Sequence, residues 1–537
     1  MEKKTTLVGG VAVLGIAGLI SKVIGMFFRI PLTNLIGSGG LGLYQAVYPT
    51  YSLLLTISTA GIPVAISRLV SESITMGRRK NAQAILRTAL LLLTGIGLFF
   101  TLLVLAFSHQ LAARMGDAEA TAGFMAIAPA VLLVTAMSAF RGYLQGHGNM
   151  RPTAISQLIE QAAKVALSLP LSVLGLQRGG VALAAAGALF GITLGEGLAL
   201  LFMIAAYAFN RRRVSPSTLQ DASGEQAAES FGALAKKLVR IAIPITIGSS
   251  IVPLASYIDS AMIRLRLMRA GFSVEEARSL YGLLSGSALS LINVPTVLAT
   301  AVCIGLVPAI SAARIQRRTE EVHDLSRLGL RLGSLIGLPC GVGMSMLSVE
   351  IIRLLYPRLP ENEIIITGSI LSLSALTIFF FTQVQATTGI LQGVGLQRIP
   401  MASLVAGVAC KILLNYTLIA IPSINIYGAP LASITCYAVS MIVNFLWVVK
   451  KVGMRMDWKG IILRPAAATL GMAVFVEAAR LLLGTMSRFA VVIVIAGAAV
   501  VYVVLVFTLG ALKREDMEMI PGGKKIERLL IRLRLWK

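Results

Sequence analysis

Eight ionisable side chains sit inside long apolar runs of this sequence: Lys22, Arg29, Glu160, Lys164, Glu196, Asp259, Lys411 and Glu477. Arg264 lies just beyond the end of another run. A charge at the centre of a bilayer costs about 2.5–3.5 kcal/mol on insertion scales, so such groups turn toward a polar interior and mark pathways or binding sites. Lys22 and Arg29 are seven residues apart and share one helix face. Lys22 is too deep to snorkel and is expected to face substrate, whereas Arg29 faces the same way or reaches the outer interface. Glu160 and Lys164 are spaced i,i+4 and can pair within one helix. Lys411 has Gly407 at the corresponding place, so it must neutralise, find a partner on another helix, or meet an anionic ligand. Lys22, Arg29, Lys164, Lys411 and Arg264 are therefore the candidates for holding an anionic substrate. Asp259, Glu196 and Glu160 are candidates for coupling to an ion or proton, or for pairing with one of those lysines. Glu477 and Arg480, spaced i,i+3, are expected to pair locally.

No catalytic constellation accompanies these charges. The four cysteines, Cys303, Cys340, Cys410 and Cys436, fall within apolar spans without metal-ligand or redox spacing, and read as small packing residues. The three histidines lie far apart in sequence, so no metal is expected. Gly37-Ser38-Gly39-Gly40-Leu41-Gly42 fits G-x-G-x-x-G, but it lies between two apolar runs without a βαβ context and reads as a turn.

The elements that must position these residues follow from composition. Of 537 residues, 56% are hydrophobic and only 13% charged, and mean hydropathy is +0.83. A soluble domain carries about a quarter charged residues, so the main solvent here is lipid. Apolar runs at 8–33, 42–69, 84–108, 121–144, 153–174, 180–208, 238–262, 280–312, 326–348, 364–393, 399–420, 428–449, 461–483 and 489–511 give an all-α integral membrane protein with about 14 transmembrane helices. The net charge of +24 is read as a topology signal, not as a nucleic-acid surface. Strict alternation puts about 34 of the 48 basic residues on one side, which places both termini in the cytoplasm. The weakest point is the outward stretch 264–278, where Arg264, Arg266, Arg269 and Arg278 are partly offset by Glu275 and Glu276. The basic, amphipathic tail 512–537 suits the anionic lipids of the inner leaflet, or a solvated end.

The chain also repeats itself. Leu144-Gln145-Gly146-His147-Gly148 recurs as Leu391-Gln392-Gly393-Val394-Gly395, an offset of 247 that also carries Lys164 onto Lys411. An offset of 248 carries Gly180 onto Gly428 and Glu196 onto Asn444. Six spans per copy make the copies parallel, with two further helices after them. The expected division is an N-lobe at 1–208, a cytoplasmic linker at 209–237, a C-lobe at 238–450, helices 13 and 14 at 451–511, and the tail. Two parallel six-helix bundles suit alternating access, with Lys164 and Lys411 facing each other as a cationic floor for a diphosphate.

Ser21-Lys22-Val23-Ile24-Gly25, Gly42-Leu43-Tyr44, Gly61-Ile62-Pro63-Val64-Ala65-Ile66-Ser67-Arg68 and Arg141-Gly142-Tyr143-Leu144-Gln145-Gly146, in this order across fourteen spans, carry a family resemblance. The chain resembles the polysaccharide-transporter branch of the multidrug/oligosaccharidyl-lipid/polysaccharide exporter superfamily, with its stage V sporulation protein B and lipid II flippase members. The resemblance implies a V-shaped two-lobe fold, a cationic central cavity, and a groove for a lipid tail at spans 13 and 14. It implies export of an undecaprenyl-pyrophosphate-linked glycan, lipid II or a related precursor, across the bacterial plasma membrane. It also implies a monomer that needs no cofactor beyond a coupling Na+ or H+ or the membrane potential. Lys22 matches a basic residue of the flippases' first helix, whereas Phe28 stands where they carry a second arginine and Arg29 where they carry an acid. The alternatives are a cation-coupled multidrug exporter of the same superfamily and a membrane enzyme using the same lipid donor. The first would favour acidic cavity residues. The second would need a sizeable outer loop with paired carboxylates.

Overall fold

The computed structural model describes residues 2–213, 229–454, 456–484 and 487–512. The centre of the 209–237 linker and almost all of the 512–537 tail lie outside these residues. Among the described residues the chain is helical with no strand, as lipid requires, because only a helix satisfies its own backbone in hydrocarbon.

Contacts divide the chain into two compact units, Met1–Gly282 and Leu283–Lys537. The first holds α1 (Glu2–Phe27), α2 (Arg29–Thr59), α3 (Ile62–Thr75), α4 (Arg79–Ala106), α5 (Ser108–Arg114), α6 (Thr121–Gly146), α7 (Arg151–Arg213), α8 (Phe231–Arg269) and α9 (Val274–Tyr281). The second holds α10 (Leu289–Ile315), α11 (Thr319–Met346), α12 (Ser348–Leu355), α13 (Glu361–Ala375), α14 (Thr377–Gly393), α15 (Arg398–Leu418), α16 (Gly428–Val452), α17 (Arg464–Leu483) and α18 (Arg488–Thr508). The lobe division expected above follows sequence kinship and linker composition, a different criterion from compactness.

Twelve stretches are long and apolar enough to cross a membrane, and two of them, Val13–Thr75 and Arg151–Asn210, run to 63 and 60 residues. As single helices these would reach about 90 Å, three times the hydrocarbon thickness. Each is broken by a glycine in the left-handed region, Gly37 (φ 68°) and Gly180 (φ 73°), where a Cβ would be strained. Each stretch therefore holds two spans, which makes fourteen among the described residues. The glycine-rich segment 37–42 is indeed the first of these turns.

Small residues let the helices close up. The two arms of α7 touch along Gly175, Gly187 and Gly191, and a Cβ at these positions would lie 2.3–2.4 Å from Leu183, Leu171 and Ser168 atoms. Ser168 and Ser172 donate across the same seam to the carbonyls of Ala188 and Ala184 at 2.7 and 2.9 Å. This is the packing that membranes favour, since apolar burial alone does not drive helices together in lipid. The second unit repeats the device between α15 and α16: Gly407 backs onto the Cys436 carbonyl, and Ser440 donates to the Ser403 carbonyl at 3.1 Å.

The core of the second unit gathers Leu306, Ile310, Ile390, Leu391 and Val448. α17 and α18 pack on each other, and α17 also lies on α11. Arg480 of α17 sits 3.7 Å from Glu477, the local pair expected, and 2.8 Å from Glu350 of α12, a closer tie that spacing did not reveal. Leu481, Leu482 and Phe489 at this corner are 78–86% exposed, which suits contact with lipid.

Gly187→Val should force the arms of α7 apart, at a cost of ~1–3 kcal/mol, and lower the thermal midpoint in detergent by several degrees. Gly95→Ala, with nothing within 4 Å of its Cβ, should leave the midpoint unchanged.

Candidate functional site

The second arm of α2 presents Tyr44, Tyr48 and Tyr51 at i, i+4 and i+7, one helix face. Their rings form a ladder: Tyr44 stacks on Tyr48 at 5.5 Å, and Tyr48 meets Tyr51 at 6.0 Å. Lys164 of α7 is 7% exposed, and its ammonium lies 5.1 Å from the Phe28 ring centre and 5.2 Å from that of Tyr48. Arg29 stands 6.0 Å over the same Tyr48 ring. Two cations therefore share one aromatic wall. Ring faces contribute about 0.5–2 kcal/mol each to a cation, less than full hydration supplies. Among the described residues Lys164 has no carboxylate ion-pair partner.

The carboxylates nearby have other duties. Glu160 accepts from Arg141 of α6 at 3.2 Å and from Gln161 at 3.1 Å, while Arg141 also donates to Ser156 at 3.0 Å. The expected pairing of Glu160 with Lys164 is replaced by this bond across helices, which offers a guanidinium fork in place of a flexible ammonium. Glu196, on the other arm of α7, is 3% exposed. Tyr51 donates to its Oε1 at 3.2 Å, and its Oε2 has no hydrogen-bond partner.

The remaining candidates are dispersed. Lys22 is exposed on α1, seven residues before Arg29, and the helix continues between them through Phe28, whose N–H reaches the Ile24 carbonyl at 2.9 Å. Asp259 is half-buried on α8, and Lys411 is half-buried on α15 of the second unit. Arg264 stands apart from the Lys164 group: it is 2% exposed and lies 5.5 Å from the Tyr281 ring of α9. Arg278, also on α9, is bound by Asp117 and Glu119 at 2.5 and 2.8 Å. One of the four arginines of the 264–278 stretch is thus neutralised, by acids about 160 residues away in sequence.

The repeat sharpens what is special to the first unit. The 247-residue offset carries Arg141 onto Thr388, Glu160 onto Gly407, Ser156 onto Ser403 and Lys164 onto Lys411. Both members of the Arg141–Glu160 pair are thus absent from the second copy. Asn444, matched to Glu196, accepts from Ser403 at 2.7 Å and reaches Thr387 and Thr388 at 3.4 Å. A neutral, satisfied amide network occupies the place that ionisable groups hold in the first unit.

Fourteen helical spans, with ionised groups lodged on an aromatic wall inside the first unit, define a polytopic membrane protein of the transporter class. The chain belongs to the polysaccharide biosynthesis protein family, whose profile matches residues 7–314, and the MatE profile matches residues 285–417. It is 28% identical over 537 residues to stage V sporulation protein B of Bacillus subtilis (strain 168), covering 98% of this chain and 100% of that protein. It is 27% identical over 543 residues to lipid II flippase MurJ of the same organism, covering 96% of this chain and 98% of that protein. Its fold matches the solved inward closed conformation of lipid II flippase MurJ with a TM-score of 0.70 at 15% identity, over 92% of this chain and 98% of that one.

Arg141→Met should leave the half-buried Glu160 without its counter-charge and destabilise the protein by ~1–3 kcal/mol, whereas Arg141→Met with Glu160→Met should recover most of the loss. Thermal unfolding of the single and double variants in detergent measures this.

Proposed function

We propose that this protein is an alternating-access flippase that exports an undecaprenyl-pyrophosphate-linked glycan, lipid II or a related cell-wall or polysaccharide precursor, across the bacterial plasma membrane. The observation that carries this reading is Lys164, a buried ammonium held by ring faces without a carboxylate partner, beside Arg29 on the same tyrosine. Such a group gains most from an anionic ligand that enters and leaves. A pyrophosphate offers charge to both cations, and the aromatic wall excludes water around it. Lys22 on α1 extends the cationic face toward the arriving headgroup, and Lys411 is the second repeat's counterpart of Lys164. The names of the relatives, a lipid II flippase and a sporulation protein, support the substrate class. Glu196 and Asp259 serve coupling to Na+, H+ or the membrane potential, and Glu160, engaged by Arg141, holds α7 to α6. Both termini face the cytoplasm, and the chain works as a monomer among anionic lipids, without nucleic acid.

The match of the MatE profile to 285–417 favours one second reading, a cation-coupled multidrug exporter. That reading asks for acidic groups free to meet cationic drugs, and Glu160 is already engaged by Arg141.

Purified protein in liposomes should translocate a fluorescent polyprenyl-pyrophosphoryl glycan. Lys164→Ala, Lys22→Ala and Lys411→Ala should each reduce the rate at least 10-fold with unchanged membrane insertion, and Lys164→Arg should keep part of it. Full activity in all three alanine variants would remove the cationic site, and efflux of cationic dyes without glycan movement would favour the exporter.

A further inference from the structure

At one end of the first unit the Gly37 turn, the loop between α5 and α6, and α9 converge. Several contacts fasten α9 there. Arg278 donates from Nε and Nη2 to the two oxygens of Asp117 at 2.5 and 2.8 Å, and from Nη1 to Glu119 at 2.8 Å. Ser279 donates to Ser38 at 2.7 Å. The backbones meet so closely that a Cβ at Gly42 would lie 2.2 Å from the Arg278 carbonyl oxygen, and one at Gly282 would lie 2.3 Å from that of Ser38. α9 then runs directly into a π-helical turn, Gly282–Ala288, and the first compact unit ends at Gly282. Short π-helical segments frequently mark functional sites, and they are among the places where helices kink.

Beside this fastening stands a group with no evident use in it. Arg264 is 2% exposed and gives its Nε–H to the Ser260 carbonyl at 3.0 Å, while Nη1 and Nη2 find no acceptor. Unmet buried donors on a charged group are costly, and an apolar residue would pack against Tyr281 without that cost. Tyr281, whose ring Arg264 lies against at 5.5 Å, is three residues after Arg278 on α9.

We propose that α9 is a latch in which two arginines exchange one buried carboxylate. In the conformation described here Asp117 holds Arg278. When α9 swings away about the π-helical turn, Asp117 passes to the waiting amino groups of Arg264. Without that second partner, release would strand a buried carboxylate, a strongly unfavourable event. With it, the ion pair is replaced instead of lost, and the two states come close enough in energy to interconvert. The inference rests on the transport reading only in that release of α9 opens this end of the first unit to substrate.

Two measurements test it. In a cysteine-free background, Ser38→Cys with Ser279→Cys places two thiols within disulfide reach. Complete oxidation should reduce transport at least 10-fold, and reduction should restore it; full transport with the bridge closed would overturn the latch. The second readout needs no substrate, so failure of the flippase reading leaves it intact. Spin labels at Ala113 and Glu275, both exposed, should show a short and a long distance by double electron–electron resonance. Asp117→Asn should enlarge the long population several-fold, and Arg264→Met should shrink it several-fold. A single distance common to the parent and both variants, or a long population that Arg264→Met leaves unchanged, would overturn the exchange.

Discussion

Hydrocarbon gives a charge nothing to bond to, and the first unit is arranged around that constraint. Lys164 enters the interior from α7 and is met by Phe28 and Tyr48 instead of by water or a carboxylate. The ladder of Tyr44, Tyr48 and Tyr51 exists because α2 keeps one helical face after the Gly37 turn. Glu196 comes within reach of Tyr51 because the arms of α7 pack through glycine and serine, which let the backbones approach to van der Waals distance. Glu160 has found a cation on another helix, Arg141, and Lys164 has no carboxylate partner among the described residues. An interior that pairs Glu160 with Arg141 and leaves the Lys164 ammonium on ring faces is suited to a visiting anion.

The two repeats answer the same constraint differently. Where the first has Arg141 with Glu160, the second has Thr388 with Gly407; where the first has Glu196 with an unpartnered oxygen, the second has Asn444 within a closed amide–hydroxyl network. Neutral polar groups hold helices together without titrating or answering a membrane field. Ionised groups do both, at greater cost. Both copies keep the lysine, Lys164 and Lys411, as they keep the serine, Ser156 and Ser403.

Much of this was legible in sequence because lipid imposes simple rules. Span length, the absence of strands and the split of two overlong stretches at Gly37 and Gly180 all follow from hydrocarbon thickness and backbone satisfaction. The site was only partly legible. Lys164, Arg29 and Glu196 stood out as charges in apolar runs. The partner of Glu160 did not, because helix spacing offered Lys164 four residues on, while Arg141 arrives through tertiary packing from α6. The tyrosine ladder had a readable i, i+4, i+7 signal, but tyrosines in a membrane helix are as easily interfacial. Arg278 looked like an unbalanced outward charge because counting Lys and Arg is blind to a buried acid about 160 residues earlier. Arg264, grouped in sequence with the cationic candidates, belongs to that same end of the unit and not to the Lys164 wall.

The central claim is that Lys164 marks the seat of a lipid-linked pyrophosphate. Native mass spectrometry of the protein gently extracted from its own membrane tests it most directly. The account predicts a co-purifying polyprenyl-pyrophosphate glycan that is lost in Lys164→Ala while the variant remains folded. Ordinary phospholipid alone on both proteins would contradict it, and would make Lys164 a structural cation of the first unit.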